Sequence, residues 1–542
     1  MRTHGPLQLY PFLRIALCLI VGILLGDATA DVLTLAVWRW LFVGLFSILL
    51  LLYKCHRSAI AQTVLLFCVV VVGGAWCVAC YERQQWCAFS GEEEHYEAVV
   101  VAQPVEKKRS LRCELAIVSG RMAGHKVNAY FQKPLSDARS APSAASSSAA
   151  SSSAALALNV GDGIVATSVF SPFDDEEYQS GGFDWSRQRM VQGIVARTFV
   201  RADCWHRAEV SMLSLPAFTR LSIRLQSLRQ SLLRRLYDCA ISETAYATIA
   251  AMTLGDKTAL TAELRETYSK AGVSHVLALS GLHLGIIYAM LALFLGRHRN
   301  TMLGLVTTIT LIWFFALMVG MPPGIVRSAA MFTVYASITY LSREYLTLNS
   351  LAAAATIILV ASPAMLWDVG FQMSFLAVLG IVICHALLRN NRFYMRYTRG
   401  GLVSKVVSLV FVSLSAQLFV LPLVMYYFGN VPFYFLVANI VAIPLTTLII
   451  YLSILLFVLS PVCAIGALAN VAWQWLAFGV GKLTSGMNYV LSCIATLPGA
   501  SIEGVYISAV QLLAMYLLIT ALLCVWHYCQ RLYDAKHGID VI

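Results

Sequence analysis

The chain has 542 residues, of which 59% are hydrophobic and 12% are charged, and its mean hydropathy is +0.73. Soluble globular proteins carry about a quarter of their residues as charged side chains, so this composition excludes them and predicts a membrane protein with many spans. The formal net charge of +11 fits a polyanionic substrate as well as the basic cytoplasmic loops of membrane proteins in general, and it does not distinguish the two.

Three apolar runs stand near the N-terminus, and each is about as long as the roughly 20 residues that a helix needs to cross a bilayer. They cover residues 9–26, 35–53 and 60–80. The loop 54–57 is basic and the loop 27–31 is acidic, and positive charge favours the cytoplasmic side. No convincing cleavage site follows the first run, so residues 1–81 are predicted to form three retained spans with a cytoplasmic N-terminus.

Residues 82–207 are polar, and this topology places them in the periplasm as a soluble domain. About five short segments alternate apolar and polar residues, which is typical of half-buried strands. They lie near residues 96–101, 111–117, 127–131, 164–170 and 194–200. This pattern predicts a small closed all-β barrel, OB-like in type, inserted after the third span. The Ser/Ala-rich tract 140–155 cannot bury a core and is predicted to be a mobile loop.

Residues 208–272 are predicted to form connecting helices, one of which carries leucines at helical spacing together with several arginines. These residues are Leu221, Leu225, Leu228, Leu232 and Leu236, with Arg224, Arg229, Arg234 and Arg235. The pattern fits a helix that lies at the membrane surface as well as one that packs on a helix bundle.

Residues 273–542 contain about nine further apolar runs. They lie near residues 273–295, 302–320, 325–342, 347–361, 371–388, 405–427, 433–459, 464–490 and 505–527. The sequence therefore predicts a polytopic α-helical protein with about twelve spans. Because the basic loops then fall inside, we expect a multi-pass protein of the bacterial inner (cytoplasmic) membrane with both termini in the cytoplasm.

The run 273–295 holds polar side chains, which are costly in a membrane unless they face protein or water. These side chains include His275, Ser280 and His283. Ser280 and His283 are three residues apart and share a helix face, so they could pair as nucleophile and base. No orienting third group is evident from the sequence. Structural hydrogen bonds between helices, or the lining of a pore, are the interpretation we favour.

Two prolines and a glycine precede Arg327, which therefore lies about one turn inside a helix. Its guanidinium could face an aqueous vestibule and attract phosphate, or it could extend to the membrane interface. Asp368 and Gln372 form a second polar cluster, in which Asp368 could cap the helix that follows. Prolines in later runs predict broken or kinked helices beside a cavity. These prolines are Pro422, Pro432 and Pro444.

The predicted barrel combines cationic side chains, which can follow a phosphate backbone, with aromatic rings, on which bases can stack. The candidate residues for binding single-stranded DNA are Lys107, Lys108, Arg109, Arg112, Lys126, Tyr130 and Phe131. The alternative is an ordinary charged surface over an aromatic core. Cys113 and Cys204 fall on the oxidising side of the membrane in this topology and are a candidate disulfide.

Five strings of this sequence resemble, in order, the motifs of the ComEC family of competence proteins. They cover residues 254–257, 275–285, 324–331, 370–380 and 438–444. The resemblance extends over nearly the whole chain, and it assigns a set of positions to a channel region. These positions are Asp256, His275, Ser280, Gly281, His283, Gly285, Arg327, Asp368, Gln372, Gln417 and Asn439.

The resemblance implies an inner-membrane channel that carries single-stranded DNA from the periplasm to the cytoplasm in natural transformation. In this interpretation the barrel receives the strand, and the arginine-rich helix and Arg327 offer cationic steps. Implied partners are single-stranded DNA, membrane lipids, a periplasmic DNA receptor, and a cytoplasmic motor or single-strand-binding protein. The sequence has no Walker P-loop, so the energy is expected from outside the chain.

Many members of the family carry a metal-dependent nuclease domain, but this sequence has no His-x-His-x-Asp-His string. We therefore expect no nuclease activity, no metal ion and no cofactor, with a separate protein supplying the nuclease. Two other functions stay open. A secondary transporter of a small anionic solute would explain broken helices and positive charge, although not the barrel, and an intramembrane serine hydrolase would use Ser280 and His283.

Overall fold

A computed structural model describes most of the chain. The described residues are 10–54, 59–85, 89, 91–107, 109–133, 158–173, 188, 191–239, 241–341, 347–388, 400–463 and 467–536. The predicted loop 140–155 and the candidate Lys108 lie outside them.

Three helices begin the described chain at the positions predicted from hydropathy. They are α1 (Pro11–Ala28), α2 (Leu35–Lys54) and α3 (Ala59–Gln85). Helices α1 and α3 approach closely at glycines: a Cβ added to Gly22 would lie 2.0 Å from the carbonyl oxygen of Val71, and one added to Gly74 would lie 2.7 Å from that of Leu19. Small residues allow membrane helices to pack backbone against backbone, and this contact holds the first and third helices together.

The polar segment after α3 forms a small closed β-barrel, as predicted. Its strands are β1 (Glu93–Val100), β2 (Val105–Glu106), β3 (Ser110–Ile117), β4 (Lys126–Gln132), β5 (Gly163–Ser171), β6 (Ile194–Val200) and β7 (Trp205–Arg207). The five longer strands pair in the order β1-β3-β4-β6-β5, and β5 returns to β1 and closes the barrel. Strands β4 and β6 are parallel, whereas the other neighbours are antiparallel.

The barrel core consists of the inward positions of the alternating strands. Tyr96, Cys113, Leu115, Phe131 and Phe170 are all buried there. Because every second residue of a strand points inward, the alternation in the sequence was sufficient to predict both the strands and most of this core.

The remainder of the described chain is mainly helical. Its elements are α4 (Ala217–Tyr237), α5 (Glu243–Ile249), α6 (Ala262–Lys270), α7 (Ser274–Leu277), α8 (Gly281–Leu295), α9 (Met302–Met318), α10 (Pro323–Leu341), α11 (Thr347–Ala361), α12 (Val369–Leu388), α13 (Gly401–Phe428), β8 (Asn430–Pro432), α14 (Phe435–Cys463), α15 (Ala467–Ala495), β9 (Ser501–Glu503) and α16 (Ala509–Lys536). A π turn, Ala250–Leu254, extends α5, and β8 pairs with β9.

Within the described residues, eight helices are long and apolar enough to cross a membrane. They are α1, α2, α3, α8, α12, α13, α14 and α16. Helices α9 and α11 are apolar but shorter. The chain is thus a multi-pass membrane protein, while the total of about twelve spans stays a prediction.

The breaks in the membrane helices differ from those predicted. Helices α13 and α14 continue through Pro422 and Pro444, so no break occurs there and the alternative of a kink stays a prediction, while Pro432 lies in β8 between helices. The run 273–295, predicted as one span, is instead interrupted between α7 and α8, where Ala278 and Ser280 have extended backbones. Hydropathy does not reveal this break because the interrupted residues are apolar or small.

Candidate nucleic-acid interface

The outer face of the barrel carries a stacked pair of aromatic rings. The rings of Tyr130 on β4 and Phe199 on β6 are 5.2 Å apart and nearly parallel, with an interplanar angle of 23°. These residues are direct partners in the parallel pairing of the two strands. Tyr130 is largely covered, whereas 65% of Phe199 is exposed, so one aromatic face is open to a ligand. We call Tyr130 and Phe199 the aromatic platform.

Cationic side chains lie next to Tyr130 of the aromatic platform. The ammonium of Lys107 lies 5.1 Å from the centre of the Tyr130 ring, a cation–π contact. Arg112 on β3 lies opposite Tyr130 in the antiparallel pairing of β3 with β4, whereas Phe199 lies on the other neighbouring strand, β6. Arg109 and Lys126 are exposed near the same strands. Two of the predicted cations, Lys107 and Arg112, therefore lie directly beside the stacking surface.

Phe131 does not belong to this surface, and its prediction as a DNA-binding residue is wrong. It is fully buried in the barrel core, where its ring meets that of Trp205 edge-on at 5.0 Å. Adjacent residues of a strand point to opposite faces, so Tyr130 and Phe131 cannot both face outward. The same alternation would have pointed to Phe199, which the sequence interpretation missed, because Ala196 and Val200 of β6 face inward.

The predicted disulfide is also not present, since Cys113 and Cys204 are both free thiols. Cys113 faces the barrel core from β3, where burial raises the pKa of its thiol to about 12 despite the neighbouring Arg112. Cys204 lies in the turn between β6 and β7, and its sulfur accepts a hydrogen bond from Arg201 at 3.4 Å. The two thiols occupy different environments, one inside the barrel and one at its surface.

In the membrane region, Ser280 and His283 meet as the cap of α8. Nδ1 of His283 lies 3.1 Å from the hydroxyl oxygen of Ser280 and accepts from the Ser280 backbone N–H at 3.3 Å. A side chain in the first turn that accepts from the N-cap backbone is half of a capping box. The hydrogen bonds of this pair are thus those that start a helix after a break. His275 lies on the short α7 and is exposed.

Arg327 is buried and paired, which is neither of the two alternatives left open by the sequence, an aqueous vestibule or the membrane interface. Its Nη1 donates to Oδ1 of Asp368 at 2.6 Å, and the two side chains are 8% and 4% exposed. The same carboxylate oxygen accepts from the backbone N–H of Phe371 at 2.6 Å, so Asp368 caps α12, as proposed from the sequence. Its other oxygen accepts from Gln188, which belongs to the segment between β5 and β6, at 2.6 Å. The sequence interpretation missed Gln188.

The N-terminal ends of α8, α10 and α12 meet at this ion pair, and we call their meeting point the N-terminal junction. A Cβ on Gly324 would lie 3.1 Å from the carbonyl oxygen of Leu279, and one on Gly281 would lie 3.1 Å from the hydroxyl of Ser328. A Cβ on Gly370 would lie 2.5 Å from Arg327. These glycines therefore allow three helix ends to approach, and each end carries partial positive charge. Gly285, one turn further, lies against Phe332 of α10.

The other predicted channel residues are distributed around this junction without forming one cluster. Asp256 is buried after the π turn, and one of its oxygens accepts from the backbone and hydroxyl of Thr258. Gln372 on α12 donates to the Leu366 carbonyl and accepts from Tyr427. The remaining two positions are Gln417, half-buried on α13, and Asn439, buried on α14 with no hydrogen-bond partner for its Oδ1 among the described residues.

The arginines of α4 divide into two groups. Arg229 is buried and donates to the carbonyl oxygen of Val319, at the C-terminal end of α9, and to Gln103 of the barrel. Arg235 donates to the backbone and hydroxyl oxygens of Ser460. Arg224 and Arg234 are exposed. Two of the four arginines predicted as cationic steps for DNA therefore form contacts within the protein instead.

A sequence model for competence proteins matches residues 252–528, just over half of the chain. The chain belongs to the ComEC family of competence proteins. The match covers all three helices of the N-terminal junction and excludes the barrel. The family resemblance found in the sequence motifs is thereby confirmed.

Two curated proteins are similar to parts of this chain. "ComE operon protein 3" of Bacillus subtilis (strain 168) is 26% identical over 240 residues, which are 43% of this chain and 27% of that protein. An "Uncharacterized protein" of Aquifex aeolicus (strain VF5) is 32% identical over 125 residues, 23% of this chain and 29% of that protein. The chain thus matches just over a quarter of the length of each relative. No solved structure matches the chain.

Proposed function

We propose that this protein conducts single-stranded DNA across the bacterial inner membrane, from the periplasm to the cytoplasm, in natural transformation. Membership of a competence family supports a role in DNA uptake. The observation that carries the proposal of a single strand is the aromatic platform. Bases have π faces that an exposed ring can stack on, and the surrounding cations match the phosphates between the bases.

The shape of the barrel supports the same proposal. A small Greek-key barrel that binds oligonucleotides on an outer strand face is the usual form of an OB-fold. In this chain the aromatic platform spans the parallel strands β4 and β6, and Arg112 extends the surface onto β3. We infer an OB-like domain on the periplasmic side that holds the strand before it enters the membrane region.

The N-terminal junction fits the next step of this path. Three helix ends with partial positive charge meet where Gln188, from the barrel, binds Asp368. A phosphate that leaves the barrel would thus meet a positive electrostatic potential before the bilayer. Arg327 contributes by holding the helix ends together, since its own charge is balanced by Asp368.

The experiment measures the affinity of a fluorescent oligothymidylate for the purified full chain in nanodiscs. We expect Phe199→Ala to weaken binding by roughly tenfold or more, because stacking contributes about 1–3 kcal/mol per base. Phe433→Ala removes a comparably exposed phenylalanine outside the barrel and serves as the matched control. Equal affinities for the wild type and Phe199→Ala would contradict the proposed stacking surface.

A transporter of a small anionic solute is the second candidate, because the N-terminal junction would also suit a single anion. Uptake of labelled DNA distinguishes the two functions in a transformable host that lacks the gene. If the wild type restores entry into the cytoplasm and Phe199→Ala does not, the strand-conducting function stands. If deletion leaves DNA entry unchanged, a small anion is the substrate to test.

A further inference from the structure

Helix α4 presents three different sides around its axis. One side is buried against the bundle and the barrel, and it is formed by Ile223, Gln226, Arg229, Leu233 and Leu236. A second side carries four of the leucines seen in the sequence: Leu221, Leu225, Leu228 and Leu232. The third side is polar and exposed and includes Ser227, Ser231 and Arg234. At about 100° per residue, the leucine side lies about 110° from the buried side and about 150° from Arg234.

Among the described residues, protein covers the leucine side only in part: Leu225 and Leu232 are half-buried, and Leu232 packs against the cluster that contains Leu233, whereas Leu221 and Leu228 are exposed. Leu221 and Leu228 are 46% and 45% exposed, and Phe218, in the first turn of the helix, is 51% exposed. Only Leu236 of the five leucines predicted to form one stripe is fully buried, because it belongs to the bundle-facing side. Some apolar residues of α4 therefore pack against the bundle and others are exposed. This division explains why the sequence pattern fitted both a helix at the membrane surface and a helix packed on the bundle.

The charge of α4 is entirely positive. The helix contains five arginines and no acidic residue. Arg224 lies about 70° from the centre of the leucine side at about 100° per residue, close enough for its guanidinium to sit at the edge of that apolar surface. Apolar residues flanked by arginines are the pattern of helices that lie in the interface of a membrane with anionic lipids.

We propose that the leucine side of α4 binds anionic phospholipids of the bilayer. The leucines enter the boundary between headgroups and acyl chains, and Arg224 holds a lipid phosphate at its edge. A DNA strand is the less suitable occupant of this side, since its charged backbone would gain nothing from four leucines. The site gives α4 a lipid-binding role in place of the cationic step for DNA expected from the sequence.

The position of α4 makes the proposed lipid relevant to the whole membrane region. Its buried side already holds the C-terminal end of α9 through Arg229 and approaches the end of α14 through Arg235. The exposed leucines of this side, Leu221 and Leu228, lie on the same helix as these contacts. Bound lipid would thus fill the space beside the joint between the barrel and the membrane helices.

The first test places a photoreactive benzophenone side chain on the full-length protein in nanodiscs of phosphatidylcholine and phosphatidylglycerol. We expect Leu228→p-benzoylphenylalanine to give lipid adducts, detected by the mass of the cross-linked peptide. The same residue at Ser227, on the polar side, is the matched control and should give at least tenfold less. Equal lipid labelling at both positions, or none at Leu228, would overturn the proposal.

The second test asks whether the lipid is anionic. The readout is the ratio of phosphatidylglycerol to phosphatidylcholine among the lipid adducts formed at Leu228. We expect Arg224→Gln to lower this ratio by roughly fivefold, the usual contribution of one basic residue near an anionic surface. Arg234→Gln removes the same charge from the opposite side and should leave the ratio nearly unchanged. Equal effects of the two substitutions would exclude a headgroup site at the leucine side.

Single-stranded DNA is the competing occupant. A saturating oligothymidylate is added before irradiation, and the adducts at Leu228 are compared with and without it. Under the lipid proposal their yield stays the same. If lipid adducts are lost and DNA adducts replace them, α4 binds DNA and the lipid site is refuted. This outcome is independent of whether Phe199→Ala weakens DNA binding.

Discussion

The ion pair of Arg327 and Asp368 illustrates how a buried charge is tolerated in a membrane protein. Both side chains are almost inaccessible, and the Asp368 carboxylate accepts from Arg327, Gln188 and the Phe371 backbone. Removal of water from two charges is costly, and only several well-formed hydrogen bonds offset that cost. The pair therefore stabilises the junction mainly while both partners are present.

Asp368→Asn is expected to destabilise the protein by about 3–5 kcal/mol, because it leaves the guanidinium of Arg327 buried without a counter-charge. The measurement is the thermal unfolding temperature of the purified protein in detergent. Glu266→Gln removes a carboxylate from the exposed pair with Lys270 and is the matched control, for which no shift is expected. A shift of similar size for both substitutions would contradict this role of the buried pair.

At the scale of single residues, the sequence was a better guide to which residues are important than to which residues they contact. Arg327 and Asp368 were both identified, and the capping role of Asp368 is confirmed, because caps depend on residues nearby in the chain. The pairing of the two was not predicted, since 41 residues separate them and either could have had another partner. Gln188 was missed because nothing in its neighbourhood distinguishes it from other polar residues.

Strands and helices were predictable wherever a single pattern of burial determines them. The barrel strands alternate because one face is core and the other is solvent, and their predicted bounds lie within a few residues of those in the structure. The break between α7 and α8 has no such signal, because Ala278 and Leu279 are as apolar as the helices around them. In α4, hydropathy located the leucines but could not separate lipid-facing from protein-facing positions.

The contact between α1 and α3 gives a prediction about elements. Gly22→Ala would place a methyl group against the backbone of Val71, which a side-chain movement cannot relieve. We expect a lower unfolding temperature and weaker membrane expression, because the two helices must separate. Gly44→Ala on α2 has open space around the added carbon and is the matched control. Equal unfolding temperatures for the two variants would show that the close contact is dispensable.

The barrel and the membrane region are joined by a few hydrogen bonds through α4. Gln226 donates to the Val101 carbonyl, and Arg229 reaches both Gln103 and the end of α9. All of these contacts are between residues distant in sequence, and the sequence therefore predicted two separate domains without predicting their joint. Arg229 is buried because it lies where the barrel contacts the membrane region and forms hydrogen bonds to both.

Arg229→Gln should loosen the barrel on the membrane region. We expect amide hydrogen exchange in α4 and in the loop around Gln103 to become roughly tenfold faster, as a hydrogen bond to a charged group contributes about 1.5–3 kcal/mol. Mass spectrometry of peptides measures this exchange in the intact protein. Arg234→Gln on the exposed polar side should leave the loop unchanged. Unaltered exchange in Arg229→Gln would mean that other contacts hold the barrel.

The three helix ends at the N-terminal junction would have an energetic consequence for the strand that we propose passes them. The helix dipoles are fixed, so their electrostatic potential does not change as a phosphate passes. The free energy that a phosphate gains on arrival must therefore be supplied again when it departs. The junction can therefore retain each phosphate and lower the barrier to entry, but over a full step of one nucleotide it performs no net work. Directional movement then requires that something on the far side bind or pull the strand as it emerges, so that each departure becomes irreversible.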